Sequence, residues 1–464
     1  MENNPNYNIL VQGYTGALDI ITKDIALILK EKKGDSILED IDKETFELLF
    51  ERGYLTKKNK EEERNHLKEL SKYVYENKKK RQPKQNSFLF AVTENCNFRC
   101  PYCYENGVSD YGNKWKQAVF NKDLVDKAYN AIDTIQPDRE KIQDSIGLYG
   151  GEPLMKENYE IVKYIIEKGK ERGFSFRATT NCYDLDHFSD LLGPGNIDYL
   201  HVSVDGIKET NNKRRIHYQN KDTFSKIMDN FSLALDKGVE IQNRINLDSS
   251  NFYEVEELMK YYREKGFLDN EKFRTYLGRI IDHDKECKSI TNEINCIDFY
   301  KKGKDLKKKD PKNNLFRVSD AKLKLSINKI IKGEELFTPK VSYCGAQCGM
   351  FILAPTGDIY TCWDKFGLKS HSVGSFNEGL KINEIVMNAW HERTVGEIDQ
   401  CSRCKYALWC GGGCAGMMKP PEDINLNRSN CMDFPKLFAQ VINEYFDEEL
   451  YKFIELPTTP SEIL

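Results

Sequence analysis

The chain has 464 residues, a net charge of −4 from Lys+Arg 69 against Asp+Glu 73, and 39% hydrophobic and 31% charged residues. That length accommodates two or three domains with at least one large core, and the near-balance of charge supplies no global field for nucleic acid or an anionic membrane. No stretch approaches about 20 apolar residues, and Met1–Tyr14 lacks the basic start and apolar core of a secretory signal, so the expected location is cytoplasmic, with no membrane contact.

Residues 1–85 are expected to form a first unit. Tyr7–Gln12 and Ala17–Ile21 pair as short strands around Gly13 and Gly16, and helices follow at Asp24–Lys32 and Lys43–Arg52, the second closed by Gly53. A charged helix over Lys60–Lys79 leads out. Small strands with packed helices have the pattern of a winged-helix-type module; a plain N-terminal buttress is the alternative.

From Ser87 the pattern becomes strand–helix alternation. Phe88–Val92 is a buried strand, and it runs into NCNFRCPYCY, where Cys96, Cys100 and Cys103 have C-x3-C-x2-C spacing. Three thiolates on one tight loop can hold three irons of a 4Fe–4S cluster and leave the fourth open for a substrate or cofactor. A zinc knuckle is the alternative, but zinc loops prefer two close pairs of ligands. Lys122–Ile135 carries Leu124, Val125, Ala128, Ala131, Ile132 and Ile135 on one helical face. Strands are predicted at Ile146–Tyr149, Phe174–Thr179, Tyr199–Val204, Glu240–Leu247 and Phe273–Ile281. Helices are predicted at Asn158–Arg172, Thr223–Lys237 and Tyr253–Lys265, with a shorter one near Asp184–Leu192. Six strands alternating with helices give an α/β class, a parallel sheet curved as a partial (β/α)6 barrel over 86–325, with its ligand at the C-terminal strand ends. The cysteine loop lies there. So does Gly150-Gly151-Glu152-Pro153 after the second strand, where two glycines permit close backbone approach to a ligand.

The lysine-rich run over Tyr300–Asn314 is expected to be a solvated surface linker. Residues 326–464 form a cysteine-rich region closed by an amphipathic helix, Phe434–Leu456. Eight of the 14 cysteines lie between Cys344 and Cys431, in short C-x2-C and C-x3-C steps. In a chain without an export signal, that points to metal or cluster ligation rather than disulfides. Cys182, Cys287 and Cys296 fall outside such steps and are expected to be free thiols.

The cysteine loop together with GGEP resembles the signature of the radical S-adenosylmethionine (radical SAM) enzymes. That resemblance implies that Cys96, Cys100 and Cys103 ligate a SAM-binding 4Fe–4S cluster whose one-electron reduction gives a 5′-deoxyadenosyl radical. It further implies SAM contacts from Tyr102, from Gly150, Gly151 and Glu152, from Asn181 after Thr180, and from Ser203 and Asp205. Arg215, Arg244 and Asn246 complete the set. The chain departs from its relatives at Cys182, where they commonly carry Gly. Cys344, Gly357 with Cys362, Cys401-x2-Cys404-x5-Cys410-x3-Cys414 and Cys431 resemble the seven-cysteine SPASM pattern. By analogy Cys344, Cys348, Cys362 and Cys414 ligate a first auxiliary cluster, and Cys401, Cys404, Cys410 and Cys431 a second, making three 4Fe–4S clusters. Cys348 lies outside the seven-residue pattern.

From Ser87 to Cys431 the chain thus resembles radical SAM/SPASM peptide maturases. The implied function is installation of a thioether or carbon–carbon crosslink in a ribosomally made precursor peptide, its leader captured by the N-terminal module as an added strand. A flavodoxin or ferredoxin would donate the electron. The alternatives are a sulfatase-maturating formylglycine-forming enzyme, against which the N-terminal extension argues, and a non-enzymatic iron–sulfur electron carrier. No nucleic-acid partner is expected.

Overall fold

The computed structural model describes residues 6–32, 34–81, 84–105, 107–109, 114–281, 292–309, 321–420 and 422–447. Strands β1 (Tyr7–Val11) and β2 (Leu18–Thr22) pair antiparallel as a separate two-stranded sheet. Helices α1 (Lys23–Glu31) and α2 (Lys43–Glu51) follow. Each starts on a side-chain cap, Thr22 accepting from the Ile25 N–H and Asp42 from the Thr45 N–H, so the first turn of each loses one orphan donor. Helix α3 (Lys60–Arg81) then crosses to the far end of the chain. Its Leu67 is buried with Val341, Val395, Ile398, Ala407 and Leu408. Tyr75 Oη donates to Gln347 O at 2.6 Å.

The central sheet holds β3 (Ser87–Thr93), β4 (Ser145–Gly150), β5 (Ser175–Thr180), β6 (Ile197–Val204), β7 (Glu240–Leu247) and β8 (Phe273–Arg279), all parallel and adjacent in chain order. Between them run α4 (Lys122–Ile135), α5 (Tyr159–Lys170), α6 (Lys208–Arg214), α7 (Thr223–Asp236) and α8 (Val255–Glu264). The six predicted strands therefore stand, within one or two residues at their ends. Helix α4 shows why the periodic reading works. Asn121 Oδ1 caps the Leu124 N–H, the face Leu124, Val125, Ala128, Ala131 and Ile132 is buried, and the helix stops at Gln136, which Pro137 biases away from helical geometry. The short helix expected near Asp184–Leu192 is a 3-10 segment, Leu185–Leu191, interrupted at Phe188. Helix α6 has no apolar stripe and was not predicted.

The lysine-rich run is not a linker over its described part. It belongs to α9 (Cys296–Lys309), whose Phe299, Tyr300 and Gly303 are buried while Lys301, Lys302, Lys307, Lys308 and Lys309 face solvent. Lys304 Nζ lies 2.6 Å from Glu444 Oε2, tying α9 to the last helix. Three apolar positions on one face outweigh the charge that marked the segment as a loop. Residues 310–314 fall outside the described residues, as does Cys287.

After α10 (Ala321–Ile331) come four short strands, β9 (Met350–Leu353), β10 (Asp358–Tyr360), β11 (Gly374–Ser375) and β12 (Lys381–Ile382). Strand β9 pairs parallel with β3, from Ser87↔Met350 to Phe90↔Leu353, so all ten strands form one sheet, in the order β12-β11-β10-β9-β3-β4-β5-β6-β7-β8. Helices α11 (Glu384–His391), α12 (Ala407–Cys410) and α13 (Phe434–Tyr445) complete the fold. The predicted terminal helix packs back through Leu437, Phe438, Val441, Ile442 and Tyr445; its expected extension beyond residue 447 lies outside the described residues. Among the described residues, no helix is long and apolar enough to cross a membrane.

Candidate active site and cysteine-rich centre

The C-terminal end of β3 passes directly into the cysteine loop. Asn95 shapes the start: its N–H donates to Thr93 Oγ1 and its side-chain oxygen accepts from the Cys96 N–H. Across the loop, Arg99 Nη1 donates to the carbonyls of Cys96 and Phe98 at 2.6 and 2.8 Å. The outer edge pairs with residues 216–218, Arg99 N–H to Ile216 O and Tyr218 N–H to Asn97 O.

Inside lies a cavity of about 170 Å³ that brings together Cys96, Cys100, Tyr102, Cys103, Gly150, Gly151, Glu152, Asn181, Ser203, Arg215, Arg244 and Asn246. Of the sequence-predicted SAM contacts, Asp205 alone does not line it. Asp205 is fully buried behind the wall: it accepts from Tyr102 Oη and Asn246 Nδ2 and lies 3.2 Å from Arg214 Nε. Its oxygens fix Tyr102, and so brace the cysteine loop against β6.

The twin glycines are required by the chain itself. Gly150 has φ +127, and a Cβ there would stand 2.3 Å from Thr93 O; a Cβ on Gly151 would stand 2.1 Å from Asn95 O. Strand β4 thus ends pressed against the root of the cysteine loop, with Glu152 N–H donating to Asn95 O. The Glu152 carboxylate is turned to β5: it accepts from Thr180 Oγ1 at 2.6 Å, from the Asn181 N–H at 2.5 Å and from the Leu154 N–H at 2.9 Å. Burial pushes its pKa up to about 7 against those three hydrogen bonds. Asn181 Nδ2 in turn donates to Asn97 Oδ1, linking β5 to the loop. Cys182 is buried behind this corner at φ +64, its carbonyl held by Asn230 Nδ2, and it does not line the cavity.

Arg215 donates to Tyr102 Oη at 3.4 Å and lies over the Phe98 ring. Burial opposes its charge, but Cys100, Tyr102 and Asp205 hold the guanidinium above its ordinary pKa. The Nε atoms of Arg215 and Arg244 are both buried without a hydrogen-bond partner. Burial also raises all three loop thiols, Cys100 to about 11, with mutual repulsion among them and from Glu152, Asp205 or Glu105 adding to it. Thiols so placed become thiolates only with a cation to compensate. Three such thiols on one wall could hold a 4Fe–4S cluster with one iron open, and two cationic groups with unpartnered donors suit a carboxylate-bearing ligand. Sequence reasoning did not single out Glu105, Trp115 or Tyr149, which share the cavity. Glu105, two residues beyond Cys103, was the one with a positional signal. Burial pushes its pKa up to about 8, opposed by a hydrogen bond from Tyr149.

In the C-terminal region the eight thiols fall into two neighbourhoods. Burial, then Asp364, Cys414 and Cys344, raise Cys362; Cys348 adds to the repulsion on Cys344, and Cys348 Sγ is 3.4 Å from Ser342 Oγ. Burial, then Cys410, Cys404 and Cys431, push Cys401 up to about 12. Arg393, a residue with no sequence signal, lies between the two groups and is fully buried. It donates to the carbonyls of Leu426, Gly413, Gly412 and Arg428 at 2.6–3.1 Å, while Cys401, Cys414, Cys344 and Cys410 oppose the lowering of its pKa by burial. Among the described residues, no three His, Cys, Asp or Glu side chains converge as ligands of a single metal ion would. Tyr149 meets Trp363, next to Cys362, with ring centroids 4.4 Å apart, so this region abuts the inner cavity.

Residues 90–262 match the family model of the Radical SAM superfamily. A cysteine-type anaerobic sulfatase-maturating enzyme of Clostridium perfringens is 23% identical over 386 residues, covering 77% of this chain and 96% of its own. GTP 3′,8-cyclase of Sulfurimonas denitrificans is 28% identical over 178 residues, 38% of this chain and 51% of that enzyme. Among solved structures, native anSMEcpe with bound AdoMet and Cp18Cys peptide has a TM-score of 0.57 at 18% identity, covering 80% of this chain and 98% of that one. Streptococcus suis SuiB bound to precursor peptide SuiA has a TM-score of 0.54 at 12% identity, covering 92% and 98%. These likenesses share the fold.

Proposed function

From the premise that this chain is a radical SAM enzyme, its domain spanning residues 90–262, we propose that it modifies a ribosomally made peptide by installing a thioether or carbon–carbon crosslink. The observation that carries the reading is the single cavity at the C-terminal strand ends, shared by Cys96, Cys100, Cys103, the Gly150–Gly151 backbone and two cationic groups with unpartnered donors. When bound there, a 4Fe–4S cluster and SAM supply reductive cleavage of a carbon–sulfur bond and abstraction of an unactivated hydrogen. Cys96, Cys100 and Cys103 are the ligands in this reading, and Arg215 and Arg244 take the SAM carboxylate. Gly150, Gly151, Asn181, Ser203 and Asn246 line its remaining contacts, with Tyr102 held by Asp205 and Glu152 holding the β5 corner. The walls of Phe98, Trp115 and Tyr149 keep water from the reacting groups.

Cys344, Cys348, Cys362 and Cys414 hold one auxiliary cluster in this proposal, and Cys401, Cys404, Cys410 and Cys431 another, with Arg393 offsetting the negative charge of both. A flavodoxin or ferredoxin serves as donor. Residues 1–85 capture the leader peptide on an open edge of the β1–β2 hairpin. The sulfatase-maturating relative named above favours a second reading, formylglycine formation. The likeness to the Streptococcus suis structure weighs the other way, because at 92% coverage it leaves too little of this chain unmatched to omit residues 1–85.

The test is anaerobic reconstitution with an iron count, then dithionite and SAM with short peptides encoded beside this chain's own gene. About twelve irons, 5′-deoxyadenosine and a peptide lighter by two hydrogens are expected. Exchange of a cysteine sulfur for oxygen together with loss of two hydrogens, leaving an aldehyde, would establish the second reading. Replacing Cys96, Cys100 and Cys103 together by Ala should remove roughly one third of the iron and all 5′-deoxyadenosine; retained cleavage overturns the assignment.

A further inference from the structure

Besides the two arginines, two side chains lining the inner cavity hold a polar atom without a partner. Glu105 is 5% exposed and Trp115 6% exposed; Glu105 Oε1 and Trp115 Nε1 are both buried with no hydrogen bond. Contacts through Ser109 link the two residues. Ser109 N–H and Oγ donate to Glu105 O at 2.9 and 3.0 Å, and Ser109 forms a β-bridge with Trp115. Tyr149, whose hydroxyl is 3.0 Å from that of Tyr104, lies beside the Glu105 carboxyl group.

A buried donor or acceptor left unmade costs about 1–3 kcal/mol, so an acceptor and a donor orphaned among the residues of one cavity point to a ligand that satisfies both. That ligand group must offer an N–H to Glu105 and an oxygen acceptor to the indole. A carboxylate offers no N–H, a lone ammonium offers Trp115 nothing, and the amino-acid group of SAM is already committed to Arg215, Arg244 and the glycine backbone in the proposed function. An extended peptide residue presents its own N–H and C=O on the same side.

We propose that Glu105 and Trp115 form the subsite for the backbone of the substrate residue, Glu105 accepting its N–H and Trp115 Nε1 donating to its C=O. This rests on the peptide reading above and adds to it a main-chain anchor indifferent to the side chain attacked. Specificity for the attacked residue then falls to the rest of the wall and to leader capture.

The experiment uses reconstituted, SAM-bound protein and two fragments followed by ligand-observed NMR: N-acetylglycine N-methylamide, and N-acetylsarcosine dimethylamide, which lacks both N–H groups. The parent should bind the first at least about fivefold more tightly, as the net contribution of one hydrogen bond requires. In Glu105→Leu that ratio should collapse to about one; in Glu105→Gln, which keeps an acceptor oxygen, it should persist. Trp115→Phe should weaken both fragments about fivefold and leave the ratio intact. A parent without preference overturns the proposal, as does a ratio unchanged in Glu105→Leu. If Glu105→Leu does not fold, unaltered affinities in Trp115→Phe overturn it. Failure of the peptide reading is seen separately, as an unmodified peptide mass beside normal 5′-deoxyadenosine.

Discussion

At the scale of single residues, the barrel interior holds polar groups far from their solution state. His201 on β6 hydrogen-bonds Tyr276 Oη on β8 at 2.6 Å, and burial, with Arg244 nearby, lowers its pKa to about 4. An unfolded histidine titrates near 6.5. Between those values the unfolded chain carries a proton that the folded chain refuses, so stability falls as pH drops from about 6.5 to about 4, by at most about 3 kcal/mol. His201→Asn removes this group from both states. Urea midpoints of parent and variant at pH 7.5 and pH 5 should therefore show a smaller acid loss in the variant, whatever constant offset the lost Tyr276 contact adds. Equal losses would mean that His201 titrates normally.

At the scale of elements, what the sequence disclosed depended on how many residues carried the pattern. Helices α4 and α7 and strands β3 to β8 each hold enough periodic positions to be predicted from the chain alone. Strands β9 to β12 have two to four residues apiece, too few for a period, although Pro355-Thr356-Gly357-Asp358 marks the β9–β10 turn. The pairing of β9 with β3 was illegible, because no local pattern states which distant edge a strand joins. The same division holds in the site: the cysteines announce themselves by spacing, whereas Glu105, Trp115 and Arg393 matter by position in space. Helix α3 looked like a charged lead-out, yet Leu67 anchors it to Val341, Ile398 and Leu408. Leu67→Ala should cost about 2–4 kcal/mol in urea unfolding. Arg64→Ala, which removes the exposed 2.6 Å pair with Asp399, should cost less than about 1 kcal/mol. Equal effects would mean that charge rather than packing attaches the N-terminal unit.

Across the whole molecule, one sheet joins two regions stabilised differently. The barrel buries apolar strands between helices: Phe88, Phe90, Ile146, Phe176, Leu200, Val202 and Ile241 are all nearly inaccessible. The cysteine-rich region instead folds through 3-10 turns and two-residue strands around eight thiols, with Arg393 bound to four backbone carbonyls. In the proposed holoenzyme, metal binding adds to the apolar burial of Ile352, Phe366, Val373 and Trp390 there, and part of the cluster-binding free energy is folding free energy. Removing iron with a chelator under reducing conditions should therefore loosen the two regions unequally. Amide hydrogen exchange over residues 344–431 should accelerate at least about tenfold, as subglobal opening allows, while strands β4 to β8 keep their protection. Strand β9 is the informative segment, since it belongs to the cysteine-rich region by sequence and to the barrel by hydrogen bonding. Its pairing with β3 predicts that Met350–Leu353 stays protected when the rest of that region opens. Uniform loss along the chain would mean that barrel and cysteine-rich region unfold as one unit, and that iron stabilises the whole sheet.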